Sequence, residues 1–304
     1  MILEKIFEDL PDTIRSNILP NYNVGKRTTV KIGGNCDYYY YVSNLSDLTE
    51  FVKCIPPEIG YAILGKGSNV IVRDVGLRKP VISLGGEFTK IQWDGSRIIV
   101  GGGYPDNNLW KEAQRRGVGG FEFLVGIPGT IGGAVKMNAG IPCYEISDIF
   151  IEAQILKSDG SIVTMDKDSM KFAYRSSALK DNDIVLNATF QSVGKSQSEI
   201  DEFIEERQYH RNNFAPVGTK TAGSTFKNPS EEKRAWKLIE DIGYKGKALS
   251  RNSNVWMDET HCNYLNVREG CSTIECENLI NKIKKIVLEK HDINLQLEVK
   301  FWGG

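Results

Sequence analysis

The chain has 304 residues, more than one compact core usually covers, so its length predicts two or three domains. Its 38 lysines and arginines almost balance its 39 aspartates and glutamates. The resulting net charge of −1 gives no electrostatic reason to expect nucleic acid or a membrane surface as a partner. Composition therefore favours small-molecule chemistry.

The cysteines and histidines suggest neither disulfides nor a metal site. The six cysteines contain no Cys-x-x-Cys pair, and the three histidines have no metal-ligand spacing. Nothing at the N-terminus resembles a signal peptide, and no apolar run approaches the roughly 20 residues that a membrane-spanning helix needs. We therefore expect a soluble cytoplasmic protein with reduced thiols and no metal, and a monomer by default.

Short β-rich runs dominate the first 105 residues, with one amphipathic helix in "SDLTEFVKCI". A second helix is predicted in "DNNLWKEAQRRG", where Asn107 or Asn108 is the expected N-cap and Gly117 the expected end. Asp159-Gly160 then predicts a tight hairpin, because this dipeptide supplies positive-φ positions. The pattern is that of an α+β protein.

Helices are expected to dominate the C-terminal third. Ser196 with Glu199, and Ser272 with Glu275, predict capping boxes at the start of two helices. A third helix is expected in "SEEKRAWKLIEDIG", and "NLQLEVKFWG" predicts a closing strand. We place a domain boundary near Gly194.

Two glycine-rich stretches suggest a ligand, "ILGKGSNVIV" and "GIPGTIGGAVKMNAG". Glycine lets a ligand approach the backbone, and consecutive exposed N–H groups can form an anion-binding nest. Neither stretch matches the Rossmann GxGxxG or the P-loop GxxxxGK[ST] pattern. One such loop is compatible with an ordinary turn, whereas two favour a single extended ligand containing a diphosphate.

Several motifs together carry a resemblance to a known family: "TTVKIGG", "LGKGSNV", "GFEFLVGIPGTIGGAVKMNAG", "YRSSAL", "AGSTFKNP", "AWKLIEDIGYKG" and "LQLEVKFWG". In this order they resemble successive motifs of the UDP-N-acetylenolpyruvoylglucosamine reductase (MurB) family, over nearly the whole chain. The tyrosine-bearing insertion of the longer branch is missing, so the chain resembles the shorter branch.

The resemblance implies an α+β fold of two parts. The first is an FAD-binding domain of the vanillyl-alcohol-oxidase/PCMH type over about residues 20–194, with α+β subdomains at about 20–75 and 76–194. The second is an α+β substrate-binding domain over 195–304, whose last strand, about 295–304, is expected to return to the first subdomain.

The resemblance also implies an activity in peptidoglycan precursor synthesis and cell-wall biogenesis. NADPH is expected to reduce bound FAD, which then reduces UDP-N-acetylglucosamine enolpyruvate to UDP-N-acetylmuramate. The FAD is expected to be noncovalent, because neither glycine loop contains a histidine. The glycine loops would hold the FAD diphosphate and flank the flavin, and we interpret their glycines as a consequence of this close approach. The resemblance assigns the following residues to FAD binding: Gly65, Lys66, Gly67, Ser68, Asn69, Gly126, Ile127, Pro128, Gly129, Thr130, Gly132, Gly133, Asn138, Ala139 and Gly140.

Three residues match the catalytic positions of the family: Ser224, Arg175 and Glu298. Hydride transfer to the enolpyruvyl group leaves negative charge beside the substrate carboxylate, and a proton must then quench that charge. Ser224 matches the proton donor, the Arg175 guanidinium can hold the carboxylate, and Glu298 can share or donate a proton. The substrate-binding residues implied by the motifs are Tyr174, Lys227 and Asn228.

Two loops depart from the family pattern. The family continues "MNAG" with Ala-Tyr-Gly, whereas this chain reads "MNAGIPCYE", and the stretch before His261 is about three residues longer. These departures leave two alternatives open: a flavin-binding paralogue without reductase activity, and a flavin oxidase of similar fold.

Overall fold

A computed structural model describes residues 2–216 and 218–304. Within them the chain forms two units. The first unit contains residues 2–22, 37–66 and 79–208, and the second contains 23–36, 67–78, 209–216 and 218–304. The domain limits expected from the sequence stay a prediction.

The described residues contain the following α-helices: α1 Ile2–Glu8, α2 Asp12–Arg15, α3 Leu45–Cys54, α4 Asp106–Arg115, α5 Ile131–Lys136, α6 Ile146–Ile149, α7 Lys167–Met170, α8 Gln197–Phe214, α9 Ala235–Asp241 and α10 Thr273–His291. They contain the following strands: β1 Ile18–Tyr22, β2 Cys36–Val42, β3 Ala62–Ile63, β4 Val70–Val72, β5 Leu77–Leu84, β6 Ile91–Asp94, β7 Arg97–Gly101, β8 Gly140–Ile141, β9 Tyr144–Glu145, β10 Phe150–Leu156, β11 Ile162–Asp166, β12 Ile184–Gln191, β13 Lys220–Ser224, β14 Val255–Met257, β15 Tyr264–Val267 and β16 Lys300–Trp302. Helices and strands are interspersed along the chain, and the largest sheet is antiparallel, as expected for the α+β class.

Two sheets organise the first unit. A four-stranded sheet has the order β1-β2-β5-β3, and its core also includes side chains of α1, α2 and α3. A five-stranded antiparallel sheet has the order β11-β10-β12-β7-β6 and shares a core with α4, α5 and α8. Burial of these apolar faces is the main force that stabilises each layer.

The second unit is built on a three-stranded antiparallel sheet of order β13-β15-β14. Its core includes the apolar face of α10 at Cys276, Leu279, Ile280, Ile283 and Val287. A separate parallel pair joins β16 to β4 in the register Lys300↔Val70 to Trp302↔Val72. Residues more than two hundred positions apart are thereby joined in one unit.

Two helix starts and one strand differ from the sequence predictions. The start of α4 at Asn107 or Asn108 is wrong, since the helix begins at Asp106 and the Pro105 carbonyl accepts its first backbone bonds. The predicted helix from Ser230 begins only at Ala235, because the Ser230 hydroxyl accepts from Lys233 N (3.0 Å) and holds a turn instead.

The closing strand is also shorter than predicted. Only Lys300–Trp302 forms regular strand pairing, whereas residues 296–299 bond irregularly to 225–227 before the chain changes partner. At the predicted hairpin, β10 and β11 are antiparallel neighbours, and only Gly160 takes positive φ (80°). A glycine with positive φ at the last loop position is typical of a hairpin in which a type I turn is followed by a bulge.

Both predicted capping boxes are confirmed. Ser196 N donates to Glu199 Oε2 (2.7 Å) before α8, and Ser272 N donates to Glu275 Oε2 (3.1 Å) before α10. In each case the serine hydroxyl accepts from the glutamate's backbone N–H. These pairs satisfy N–H groups that a helix start would otherwise leave unbonded.

Replacing Ser272 should destabilise the protein through the start of α10. We expect Ser272→Ala to lower the free energy of unfolding by about 1 kcal/mol, the usual cost of an N-cap serine. Ser272→Thr keeps the hydroxyl and should stay near the parent. The measurement is the urea midpoint of each variant, and equal midpoints for Ser272→Ala and the parent would contradict the role of this cap.

Candidate active site

The first predicted glycine loop, residues 65–69, contacts the second, residues 126–133, at Gly65 and Thr130, which both belong to the first unit. A Cβ atom on Gly65 would collide with Thr130 Oγ1. Any side chain at position 65 would therefore separate the loops, and this contact requires glycine. Thr130 is buried and stands at the N-cap position of α5.

Asp106 lies directly behind the second loop. Its backbone N–H donates to Gly129 O (3.2 Å), and a Cβ on Gly129 would collide with Asp106 Oδ2. The residue is 1% exposed, and its Oδ1 atom has no hydrogen-bond partner among residues 2–216 and 218–304. Burial raises the pKa of this carboxyl to about 8, and the Lys66 ammonium offsets only part of the rise. Asp106 is therefore mostly protonated and uncharged at neutral pH.

The loops also leave backbone groups for a ligand. The N–H groups of Gly65, Lys66 and Gly67 donate no hydrogen bond within the described chain. A Cβ on Gly133 would meet only Thr130 Oγ1, at 3.8 Å, so open space borders this glycine. Consecutive N–H groups without internal partners favour a bound anion such as a diphosphate. The residues present fit FAD.

Other glycines of the second stretch are explained by packing inside the protein. A Cβ on Gly132 would lie 3.0 Å from Gly102 O, and Gly126 takes φ of 81°. Ile127 packs against the core of the first unit, while Pro128 is exposed. The interpretation that approach to FAD accounts for all of these glycines is therefore wrong in part.

Asn138 and Ala139 lead into the hairpin of β8 and β9, which begins at Gly140. Asn138 is buried and donates from Nδ2 to Glu145 Oε2 (2.7 Å). A Cβ on Gly140 would collide with Tyr144 O, so glycine is needed where β8 pairs with β9. Ala139 O accepts a backbone bond from the start of α6. A role of these residues in FAD binding stays a prediction.

Arg175 lies on this hairpin. Its Nη2 donates to Gly140 O (2.8 Å), and its Nη1 is 3.7 Å from Glu145 Oε1. The guanidinium carbon is 4.9 Å from the centroid of the Tyr174 ring, which is 43% exposed. The structure therefore brings together Arg175, Tyr174 and the end of the predicted FAD stretch, and it fixes the plane of a cation able to bind a carboxylate.

Ser224 and Glu298 are neighbours in the second unit. Ser224 ends β13, directly after Gly223 at φ of 78°. The next carbonyl, Thr225 O, accepts from Glu298 N (2.9 Å). Asn69 Nδ2 donates to Glu298 O (3.1 Å), so the glycine loop around residue 69 is anchored to the same strand.

Burial distinguishes Glu298 from its polar neighbours. From the sequence, Glu298, Gln296 and Lys300 are equally free to be solvated. In the structure Gln296 and Lys300 are exposed, whereas Glu298 is half-buried. Carboxylates are rarely taken out of water without a partner or a function.

Lys227 and Asn228 follow Ser224 in an irregular segment. Lys227 N donates to Gln296 O (2.8 Å), which continues the pairing that positions Glu298. Asn228 Oδ1 accepts from Ala235 N (3.0 Å) and so helps to start α9. Their contact with a UDP-sugar stays a prediction.

Sequence reasoning missed Asp106 and Glu145. Asp106 precedes a helical pattern, a position from which a cap could have been predicted, but Asn107 and Asn108 competed for that role. The only signal at Glu145 is the spacing to Asp148, which forms a capping box at α6. Neither signal predicts burial or contact with a distant arginine.

The described residues contain no group of three or more His, Cys, Asp or Glu side chains placed to hold a metal ion. Over the same residues, no helix combines the length and apolarity that crossing a bilayer requires. All six cysteines are free thiols, and Cys143 in the turn between β8 and β9 is the exposed one.

Comparison with known proteins agrees with this geometry. Residues 36–166 match the family described as FAD binding domain, which covers the first glycine loop, the second and Asp106. Together with the backbone that fits a diphosphate, this match defines the class: the protein is an FAD-dependent oxidoreductase. Residues 215–302, which contain Ser224 and Glu298, match the C-terminal domain of UDP-N-acetylenolpyruvoylglucosamine reductase.

Full-length relatives give the family. The chain is 33% identical to UDP-N-acetylenolpyruvoylglucosamine reductase of Bacillus subtilis (strain 168), over 99% of each chain. It is 36% identical to the protein of that name from Azorhizobium caulinodans, over 97% of this chain and 94% of the relative. It is also similar to the crystal structure of the Thermus caldophilus reductase, with a TM-score of 0.81 and 29% identity over 94% of this chain and 98% of that one. The chain belongs to the UDP-N-acetylenolpyruvoylglucosamine reductase family, whose members use FAD as cofactor and NADPH as co-substrate.

Proposed function

We propose that this chain reduces UDP-N-acetylglucosamine enolpyruvate to UDP-N-acetylmuramate in peptidoglycan precursor synthesis. The observation that carries the proposal is the backbone bond from Glu298 N to Thr225 O (2.9 Å), which joins the segment after Ser224 to the segment of Glu298 in the region that matches the reductase C-terminal domain. Family membership over the full length of the chain supports the same conclusion.

FAD held by the glycine loops would supply the hydride chemistry that links NADPH to the enolpyruvyl carbon. The protein must then stabilise negative charge next to the substrate carboxylate. Arg175 suits this role because its guanidinium is held by Gly140 O and Glu145 and is only 17% exposed. A cation of fixed orientation can bind both carboxylate oxygens through parallel N–H···O bonds.

Ser224 supplies the proton that completes the reaction. An alcohol is a very weak acid, so this role requires a strongly basic carbanion and neighbours that polarise the hydroxyl. Ser224 is half-buried and follows a glycine with positive φ, which fixes the direction in which the strand ends. The Glu298 carboxyl is proposed to stabilise or share protons with the same substrate oxygens.

The test is absorbance spectroscopy of the purified protein. We expect a yellow protein that releases FAD when denatured, because no histidine lies in either glycine loop. NADPH should bleach the flavin, and the UDP-enolpyruvyl sugar should restore the colour without oxygen. Apoprotein without FAD serves as the control for reduction that does not involve the flavin.

The other outcomes identify the alternatives. Recovery of colour only with dioxygen would establish a flavin oxidase. No bleaching would favour a flavin-binding paralogue, and a colourless protein that cannot be reconstituted would contradict the cofactor assignment.

We further propose a cytoplasmic monomer that acts on a small-molecule UDP-sugar. The six free thiols suit a reducing compartment. The near-zero net charge gives no support for a nucleic acid partner.

A further inference from the structure

The hairpin β8–β9 follows "MNAG" and holds the guanidinium of Arg175. Gly140 and Glu145 are paired across the two strands, and Cys143 takes φ of 72° in the turn. Arg175 itself takes φ of 54°, a conformation that is costly for a residue with a long side chain. This strained backbone conformation belongs to the residue whose guanidinium contacts the hairpin.

Glu145 is fixed at the centre of this contact. Its Oε2 accepts from Asn138 Nδ2 (2.7 Å), and its Oε1 lies 3.7 Å from Arg175 Nη1. Its side chain also accepts the N–H of Asp148 in the capping box of α6, while its own N–H donates to Asp148 Oδ2 (2.7 Å). A carboxylate with this many partners has little rotational freedom.

The far side of the network is equally rigid. Asn138 is 1% exposed, and its Oδ1 accepts from Ser147 N (2.9 Å). Its Nδ2 also donates to Ala173 O (3.3 Å), so two bonds orient the amide that donates to Glu145. The buried amide of Asn138 therefore fixes the Glu145 carboxylate, which in turn contacts the half-buried guanidinium of Arg175.

We propose that Glu145 is a positioning residue that sets the plane of the Arg175 guanidinium for substrate reduction. The inference rests on the proposed role of Arg175 in binding the substrate carboxylate. The contacts of Nη2 with Gly140 O and of Nη1 with Glu145 together set the plane of the guanidinium. With only one of these contacts the group could rotate about that contact. Bidentate binding of a carboxylate requires that plane to be correct.

The charge of Glu145 has a second, opposite effect. A carboxylate beside Arg175 offsets part of its positive charge and weakens the attraction of an anionic substrate. Removing the charge should therefore strengthen or preserve substrate binding while it impairs the reaction. A purely structural role for Glu145 predicts that binding and reaction deteriorate together.

The test uses the FAD-loaded protein and Glu145→Gln, which keeps an oxygen for Asn138 and loses the charge. We expect flavin reoxidation by the UDP-enolpyruvyl sugar to slow roughly tenfold to a hundredfold, as for a lost charge-assisted contact. KM for that substrate should stay level or fall, and FAD affinity, measured by flavin fluorescence, should be unchanged. Asp148→Ala removes the acceptor of the Glu145 N–H in the same capping box but leaves Glu145 in place, and it should react like the parent.

A double-mutant cycle shows whether Glu145 acts through Arg175. In an Arg175→Lys background, Glu145→Gln should cause little further loss, because the planar group to be positioned is gone. Additive losses, or an Asp148→Ala variant as slow as Glu145→Gln, would overturn the proposal. If Glu145→Gln fails to fold, Glu145→Asp keeps the charge but withdraws it from Nη1 and should slow reoxidation in the same way.

The same cycle separates this inference from the function on which it rests. If Arg175→Lys reoxidises as fast as the parent, the role of Arg175 is wrong. If Arg175→Lys is slow and Glu145→Gln is not, the role of Arg175 stands and only the role of Glu145 fails.

Discussion

Ser224→Ala should leave FAD binding and reduction by NADPH nearly intact and should slow substrate reduction by ~10²–10⁴-fold, the usual loss for a positioned general acid. Hydride transfer and protonation are separate steps, and neither cofactor binding nor flavin reduction needs a proton for the substrate carbon. The loss in rate should reach the upper end of this range if no other proton donor lies near the substrate carbon. The measurement is stopped-flow absorbance of each half-reaction.

Ser224→Cys provides the matched comparison. A thiol is a much stronger acid than an alcohol, so this variant should recover part of the lost rate even if its larger atom disturbs the geometry. If Ser224→Ala reoxidises as fast as the parent, or fails at flavin reduction instead, Ser224 has a structural role and the proton donor is another group.

Asp106→Asn should make the protein less sensitive to alkaline pH. The pKa of Asp106 is about 8 in the folded protein, against an ordinary value of 3.8. Between about pH 4 and pH 8 the unfolded chain has released this proton while the folded protein keeps it, so stability falls as pH rises through that window. The loss is at most about 1.4 kcal/mol per pH unit, with an upper limit of about 6 kcal/mol over the whole range.

Asparagine cannot ionise, so the variant lacks this loss. We expect its melting temperature to rise relative to the parent, by an amount that grows from pH 5 to pH 8 and is constant above that. Asp94→Asn, at an exposed carboxylate that ends β6, is the control and should show no such trend. A difference between Asp106→Asn and the parent that does not change with pH would show that the buried carboxyl is ionised throughout.

Local signals in the sequence predicted local structure well. The capping boxes at Ser196 and Ser272 are decided within four residues, because the serine and the glutamate satisfy each other's backbone groups. The glycine loops were found for a similar reason, since glycine marks unusual backbone wherever the chain needs it. Neither result depends on distant parts of the chain.

Features that depend on distant contacts could not be predicted from the residues alone. Nothing near Asp106 in the sequence shows that Gly129 will cover its carboxyl, and nothing near Glu298 shows that Thr225 will bond to it. The resemblance to a family supplied Ser224, Arg175 and Glu298 as candidates. It did not supply Glu145, whose contact with Arg175 depends on the pairing of β8 with β9.

The parallel pairing of β16 with β4 has a consequence for biosynthesis. Arg73 Nη1 donates to Gly303 O, 230 positions further along the chain. At a translation rate of 5–20 residues per second, β4 leaves the ribosome roughly 10 to 50 s before its partner. During that time the apolar side chains of Ile71 and Val72, both buried in the finished fold, lack their neighbouring strand. The second unit can therefore complete its folding only after residues 300–302 have emerged, and the nascent chain is exposed to aggregation and chaperone binding until then.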